Sequence, residues 1–180
     1  AVKNAPNSAD WETAVEPYID IQSAIDYYIF TCCISGHDNL RKNALYGTYD
    51  GEKWFMSAYD LDTTLGSNTY GTGVYPVKTK RTQFYEAASG GQKHRLFELI
   101  YKYSFDKLKA RYWELRNSVL SNENVWYMFN NFVNAIPRAV YNMDAEKWAD
   151  KWDVYLYPMP GTTTANVESY MQYYRMHCAL

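Results

Sequence analysis

The sequence lacks the features that mark disulfide-stabilised or membrane-spanning proteins. Its 180 residues contain only 3 cysteines, and Cys32 and Cys33 are adjacent in the chain and cannot easily bond to each other. A small, odd number of cysteines implies no disulfide framework. The apolar runs are interrupted within a few residues, so no segment reaches the roughly 20 residues that a membrane-spanning helix needs. We therefore predict no membrane partner.

A surplus of positive charge is also absent. Lys and Arg number 18 against 20 for Asp and Glu, which gives a formal net charge of -2 at pH 7. No long basic stretch is present. A protein that binds nucleic acid through the phosphate backbone needs a clear excess of cationic side chains. We therefore predict no nucleic-acid partner.

The composition that is present is that of a globular protein with many aromatic rings. Hydrophobic residues make up 47% and charged residues 21% of the chain, which predicts a single domain over residues 1–180 with a substantial core. The 19 Tyr and 6 Trp raise the aromatic content to 18%. Such rings pack cores and also line binding surfaces. A Tyr-rich core is the simplest interpretation, and a face that binds a protein partner or sugars is the alternative. Sugar binding would involve exposed rings, for example at residues 68–75.

Hydrophobic periodicity predicts two helices near the beginning of the chain. Ser8 is placed to cap a short helix that ends near Pro17, because proline cannot continue a helix. A second helix is expected to run from Asp20 to Gly36, since apolar residues recur at helical spacing and glycine commonly stops a helix.

The pattern then changes to that of a β-hairpin. Residues 43–49 and 52–59 are short, aromatic-rich runs, and Asp50-Gly51 lies between them. Asp-Gly between two such runs is among the strongest short signals for a hairpin turn.

Helical periodicity returns at His94 and recurs in the segments that follow. Ser121 is expected to cap a further helix, Pro137 to interrupt it, and a last helix to cover about 166–178. The sum is an α+β, mostly α protein, with a helical body that carries one β-hairpin. Two segments without periodic apolar residues are predicted to be loops: 67–91 and 153–163.

Four oxygen-bearing side chains flank the predicted hairpin: Asp38, Asn43, Asp60 and Asp62. Because a hairpin brings the outer ends of its strands together, we expect these side chains to converge. Converging carboxylates repel each other unless a cation or a proton lies between them. Carboxylate and amide oxygens are hard ligands that suit Mg²⁺ or Mn²⁺ rather than zinc. The sequence therefore predicts a Mg²⁺ or Mn²⁺ site with Asn43, Asp60 and Asp62 as ligands.

The order of these residues matches the order of catalytic residues in protein kinases. There, D-x-x-x-x-N supplies a catalytic Asp and a metal-binding Asn, two strands follow, and a second Asp holds the metal that bridges the ATP phosphates. Asp38 and Asn43 have that spacing, and Asp60 follows the second strand. Asp38 would orient an attacking hydroxyl and accept its proton. The short motif alone is a weak signal, and each of these side chains also fits an ordinary turn or helix cap.

Around these residues the sequence resembles the CotH kinase family, which is named for a spore-coat protein. The resemblance is close over residues 20–66 and looser over 94–180. It is carried by the following residues: Asp26-Tyr27-Tyr28, Asp38, Lys42-Asn43-Ala44-Leu45-Tyr46, Asp50-Gly51-Glu52-Lys53-Trp54-Phe55, and Asp60-Leu61-Asp62 with Gly66.

The resemblance implies an atypical protein kinase with a protein-kinase-like fold, which uses ATP and a divalent metal to phosphorylate protein Ser or Thr. It makes Asp38 the catalytic Asp, makes Asn43 and Asp60 ligands of the metal or the nucleotide, and makes Asp62 a possible second metal ligand. Members of the family occur in spore coats, secreted proteins and phage structural proteins. The expected partner is accordingly a protein substrate or a structural partner in such an assembly, at a spore surface, in a virion or outside the cell.

The chain departs from the kinase pattern before Asp38. His37 replaces the kinase Arg, and the 37 residues that precede Asp38 contain neither a Gly-rich phosphate loop nor a strand-borne Lys. We therefore expect this chain to be a kinase C-lobe, a fragment that lacks the N-lobe. The alternative is a catalytically inactive structural or interaction module of a phage tail, spore coat or secreted assembly. Basic residues that could help to bind phosphate are Lys78, Lys80, Arg81, Lys93 and Arg95.

Overall fold

A computed structural model describes residues 1–34, 36, 38–40, 42–61, 64–65, 94–148, 171 and 174–175. Within this part the chain is mostly helical with one two-stranded antiparallel sheet, which confirms the predicted α+β, mostly α class. No helix among these residues is long and apolar enough to cross a membrane. The predicted loops 67–91 and 153–163, and the candidate sugar-binding residues 68–75, lie outside the described residues.

The helices and strands are numbered in chain order: α1 (Trp11–Val15), α2 (Ile21–Cys33), β1 (Ala44–Thr48), β2 (Trp54–Ala58), α3 (Arg95–Tyr103), α4 (Phe105–Arg116), α5 (Asn122–Ala135) and α6 (Arg138–Trp148). Short 3₁₀ turns cover Val2–Asn4 and Asp38–Leu40. The described residues fall into two compact units, the first within 1–62 and 78–114 and the second within 63–77 and 115–180. That residues 1–180 fold as a single domain stays a prediction.

Helix α1 is held by burial rather than by a cap. Trp11 and Val15 are fully buried, and the N-cap residue is Asp10, whose side chain makes no capping hydrogen bond. The prediction that Ser8 caps this helix is wrong. The Ser8 hydroxyl lies in the turn before the helix and is hydrogen-bonded to the Asp10 carboxylate at 3.1 Å. The helix ends before Pro17, as the sequence predicts.

Helix α2 begins where the sequence predicts. The Asp20 carboxylate accepts a hydrogen bond from the backbone N–H of Ser23 at 3.0 Å and so caps the helix. The helix ends at Cys33, three residues earlier than expected, and the N–H of Gly36 donates to the carbonyl of Thr31 at 2.9 Å. That bond satisfies a carbonyl of the last turn, which is how many helices end. The buried side chains of α2 include Ile21, Ala24, Ile25, Tyr28 and Ile29.

Strands β1 and β2 form the predicted hairpin, with Ala44 opposite Ala58 and Thr48 opposite Trp54. Gly51 in the connecting turn has a φ of +80°, which glycine adopts without strain. The carboxylate of Asp50 accepts hydrogen bonds from the backbone N–H groups of Glu52 and Lys53, and these bonds lower its pKa to about 2. The turn chemistry of Asp50 and Gly51 therefore fixes where the chain reverses.

The hairpin is fastened to the beginning of α2. The N–H of Asp20 donates to the carbonyl of Trp54 at 2.8 Å, and the N–H of Trp54 donates to the carbonyl of Tyr18 at 2.9 Å. Two residues further along β2, the N–H of Met56 donates to the Ser23 hydroxyl at 2.8 Å. Met56 itself is buried. Strand β2 thus has hydrogen-bonded neighbours on both of its edges, and its position is set by α2.

Between His94 and Arg116 the helical periodicity corresponds to two helices, α3 and α4, which meet at Ser104. His94 caps α3, with Nδ1 accepting the N–H of Phe97 at 3.4 Å. The helical conformation is interrupted at Ser104, between α3 and α4. The buried hydroxyl of Ser104 accepts a hydrogen bond from the indole N–H of Trp11 at 3.0 Å. In the second unit, Ser121 caps α5 through the N–H of Asn124, and α6 begins after Pro137, both as predicted. Of the predicted helix over 166–178, Met171, Tyr174 and Arg175 are described, and all three are helical.

Candidate active site

The open end of the hairpin, opposite the turn, brings two of the predicted site residues together. Asn43 directly precedes β1, and Asp60 follows β2 by two residues. The buried Asn43 amide donates from Nδ2 to the carbonyl oxygen of Asp60 at 3.3 Å. The predicted contact between the ends of the two strands is therefore present, and it joins an amide side chain to the backbone of a carboxylate residue.

Asp38 lies at the start of the 3₁₀ turn that leads into this end of the hairpin. The side chain of Asp38, and residues His37 and Asp62 as a whole, lie outside the described part of the chain. Among the described residues, no group of three or more His, Cys, Asp or Glu side chains is placed to hold a metal ion. The convergence of all four side chains, and the role of each, stays a prediction.

The backbone of Asp60 adopts a conformation that is uncommon for any residue other than glycine. Its φ is +53°, in the left-handed region that Asp and Asn tolerate better than most residues. Its carbonyl oxygen lies within hydrogen-bond distance of two side-chain amides, those of Asn39 and Asn43, each at 3.3 Å. Its side chain is exposed. Left-handed residues of this kind occur often at binding and catalytic sites, where surrounding contacts hold them in place.

Asn39 is the residue of this site that sequence reasoning missed. It is 1% exposed, and its Nδ2 lies near three backbone carbonyl oxygens, those of Tyr59 at 2.7 Å, Asp60 at 3.3 Å and Asn43 at 3.4 Å. Its Oδ1 is buried without a hydrogen-bond partner among the described residues. The only sequence signal is that Asn39 follows Asp38, which does not distinguish it from its neighbours.

The Asp26-Tyr27-Tyr28 segment of helix α2 contacts the Asp38 turn and helix α4. The Tyr27 hydroxyl donates to the backbone carbonyl of Asn39 at 2.7 Å. Burial raises the pKa of the Tyr27 phenol to about 12, so it remains a neutral donor at ordinary pH. Asp26 forms a two-point ion pair with Arg111, at 2.7 Å to Nε and 2.9 Å to Nη2, and Tyr28 is buried. These residues of the family motif thus hold the scaffold of the site.

Arg95 is the described member of the set of basic residues considered for phosphate binding. Its guanidinium donates to the carbonyl of Ala5 at 3.1 Å and to the side chain of Asn7 at 2.8 Å, and it pairs with Glu98 at 3.1 Å. These contacts fasten the N-terminal segment to α3. The other four residues of that set lie outside the described part of the chain: Lys78, Lys80, Arg81 and Lys93.

The described donors fit a hard divalent cation. Asp60 offers an exposed carboxylate, and Asn43 offers an amide whose Nδ2 is already turned to a carbonyl, so its Oδ1 is the atom suited to a cation. Oxygen donors of these two kinds are typical ligands of Mg²⁺ and Mn²⁺. The chemistry of these two side chains is therefore compatible with a hard cation, and their role as ligands stays a prediction.

Comparison with known proteins identifies the family. A family model described as CotH kinase protein matches residues 1–178, nearly the whole chain. The protein therefore belongs to the CotH kinase family, which confirms the resemblance drawn closely over residues 20–66 and more loosely over 94–180. No curated protein and no solved structure matches the chain.

Proposed function

We propose that this chain carries the catalytic and metal-binding residues of an atypical protein kinase, which transfers the γ-phosphoryl group of ATP to a Ser or Thr hydroxyl of a protein. The observation that carries the proposal is the contact between the Asn43 amide and the Asp60 carbonyl at the open end of the hairpin. Membership of the CotH kinase family supports the same activity. A kinase needs its metal-binding Asn and Asp at such a junction.

The proposed roles follow from what each residue can do chemically. Asp38 orients the acceptor hydroxyl and accepts its proton, Asn43 and Asp60 hold the metal and the nucleotide, and Asp62 is a further metal ligand. Bound Mg²⁺ or Mn²⁺ supplies neutralisation of the charge on the phosphates. The chain contributes preorganisation, because the two amides on the Asp60 carbonyl hold that residue in place before any ligand arrives.

Binding of Mn²⁺ and of Mg²⁺–ATP tests the assignment of Asp60. Asp60→Asn removes the charge but keeps the shape of the side chain and its tolerance of a positive φ. We expect this variant to bind Mn²⁺ at least about tenfold more weakly, measured by the electron paramagnetic resonance signal of free Mn²⁺, with a parallel loss in calorimetric titrations of Mg²⁺–ATP.

Glu52→Gln is the matched control. Glu52 is exposed at the turn, the other end of the same hairpin, so this variant makes the same change in charge away from the site. It should bind Mn²⁺ like the unmodified chain. Equal binding by Asp60→Asn and the unmodified chain, or no binding by the unmodified chain, would contradict the proposal.

Asp38 is tested separately by the chemistry. Because general base catalysis contributes about 10²- to 10⁴-fold, Asp38→Ala should retain Mn²⁺–ATP binding but lose at least about 100-fold in phosphate transfer to Ser or Thr. Transfer is measured with γ-labelled ATP and phosphoamino-acid analysis. Full activity in this variant would rule out the assigned role.

A structural or interaction module is a second candidate, and one observation favours it. No described residue of α5 is buried. Its surface and that of α6 expose large apolar side chains of the kind found at protein interfaces: Trp126, Tyr127, Met128, Phe132, Val140 and Met143. The module would bind a structural partner in a coat, virion or secreted assembly and would bind neither Mn²⁺ nor ATP, so the same titrations separate the two functions.

A further inference from the structure

We propose that Asn39 is a positioning residue that ties the Asp38 turn to Asp60 and thereby sets the affinity of the site for its divalent metal. The inference rests on the proposed function, because the metal is the one that a kinase site would hold. Asn39 itself would not touch the metal, since it is 1% exposed and its amide is turned to the backbone.

The hydrogen bonds of Asn39 connect the end of β2, the residue before β1 and helix α2. Its Nδ2 lies 2.7 Å from the carbonyl oxygen of Tyr59 and 3.3 Å from that of Asp60, at the end of β2. The carbonyl of Asn43, at the start of β1, is 3.4 Å away. Its own backbone carbonyl accepts the hydroxyl of Tyr27 on α2. A change at Asn39 is therefore transmitted to the residue before β1 and to the left-handed residue after β2.

The amide is the group that this position requires. The NH₂ group of Asn39 provides two donors to the surrounding carbonyls, whereas a carboxylate at the same place would provide none and would repel them. Oδ1 of the same amide is buried without a partner among the described residues, and leaving a polar atom in this way is destabilising. A buried polar atom left in this way calls for an explanation other than stability, and positioning of Asp60 supplies one.

Gly36 provides the space for Asn39. A Cβ at position 36 would lie 2.9 Å from Asn39 Oδ1 and 3.4 Å from its Cβ. Gly36→Ala would therefore push against the Asn39 side chain without removing any hydrogen-bonding group. It offers a second perturbation of the same residue, independent of a change in its chemistry.

The test compares Mn²⁺ binding by the full chain with that of three variants. Asn39→Asp has nearly the same shape but loses the donors, and it should bind Mn²⁺ about 10- to 100-fold more weakly, as changes behind metal ligands commonly do. Gly36→Ala should weaken binding by a smaller factor. Ser104→Ala, which lies in a separate network around Trp11, should lower stability but leave the dissociation constant for Mn²⁺ within about twofold.

Amide hydrogen exchange at Asp60 and Leu61 provides a readout that does not depend on metal. Exchange there should be faster in Asn39→Asp than in Ser104→Ala at equal overall stability, because only the first variant releases this end of β2. Unchanged Mn²⁺ affinity in Asn39→Asp overturns the inference alone. If that variant does not fold, unchanged affinity in Gly36→Ala overturns it instead. Absence of Mn²⁺ binding by the unmodified chain overturns the proposed function and this inference with it.

Discussion

Replacement of Ser104 by alanine removes one hydroxyl from the junction between α3 and α4, where it connects groups far apart in the chain. The indole Nε1 of Trp11 donates to Ser104 Oγ at 3.0 Å, and Ser104 Oγ donates to Oε1 of Glu12 at 2.5 Å. The other oxygen of Glu12 accepts from Lys107 Nζ at 2.5 Å. The hydroxyl thus lies at the buried end of a short network whose other end reaches solvent.

The expected loss can be estimated from the burial of each group. Trp11 is fully buried and Ser104 is 7% exposed, so in Ser104→Ala the indole N–H would be left without an acceptor. An orphaned buried donor costs about 1–3 kcal/mol, and a lost hydrogen bond to a charged group costs about 1.5–3 kcal/mol. Allowing for partial relaxation, we expect the free energy of unfolding to fall by about 2–4 kcal/mol. Lys107→Ala should lose less than about 1 kcal/mol, because the Lys107 side chain is 54% exposed.

Urea unfolding followed by tryptophan fluorescence and far-ultraviolet circular dichroism measures these losses. Ser57→Ala, at an exposed position in β2, is the matched control and should stay within about 0.5 kcal/mol of the unmodified chain. A loss below about 1 kcal/mol in Ser104→Ala would refute the reasoning. A loss in Lys107→Ala as large as that in Ser104→Ala would do the same, since it would place the energy at the exposed end of the network.

Two further predictions concern His94 and Gly51. Burial lowers the pKa of His94 from 6.5 to about 4. Between these pH values His94 is therefore protonated in the unfolded chain and neutral in the folded chain. The free energy of unfolding should therefore keep this contribution above pH 6.5 and lose up to about 3 kcal/mol as the pH falls to 4. His94→Asn, which keeps a capping acceptor, should show a shallower pH dependence in urea titrations, and identical slopes would contradict the assignment. Gly51→Ala should lower the free energy of unfolding by about 1 kcal/mol because of the +80° φ, and Gly51→Asn by less, in thermal unfolding; equal losses would argue against backbone strain as the cause.

The elements that could be predicted from the sequence are those determined by neighbouring residues. Asp50 and Gly51 define the turn between β1 and β2 through bonds within four positions, and Asp20 and Ser121 cap their helices through N–H groups three residues ahead. The break at Ser104 could not be predicted in this way. It accompanies a hydrogen bond to Trp11, 93 positions earlier, and helical periodicity carries no information about such a contact.

The same distinction applies to the candidate site. The meeting of Asn43 and Asp60 follows from hairpin geometry once the turn is recognised, so it was accessible from the sequence. Asn39 was not, because its function depends on carbonyl groups that only the folded chain places around it. A sequence motif identifies side chains by their type and spacing. The partners of Asn39 are backbone carbonyl oxygens, which every residue has, so no motif identifies them.

Helix α2 sets the distance between two contacts, one with strand β2 and one with the Asp38 turn. Ser23 accepts the N–H of Met56 in β2, and Tyr27, four residues later, donates to the Asn39 carbonyl. Four helical residues span about 6 Å, so the residues that make these two contacts lie about one helical turn apart along α2. Insertion of one residue between Ser23 and Tyr27 would swing the phenol by about 100° around the helix axis and break that spacing. Length variation in related chains should therefore be excluded from this stretch of α2.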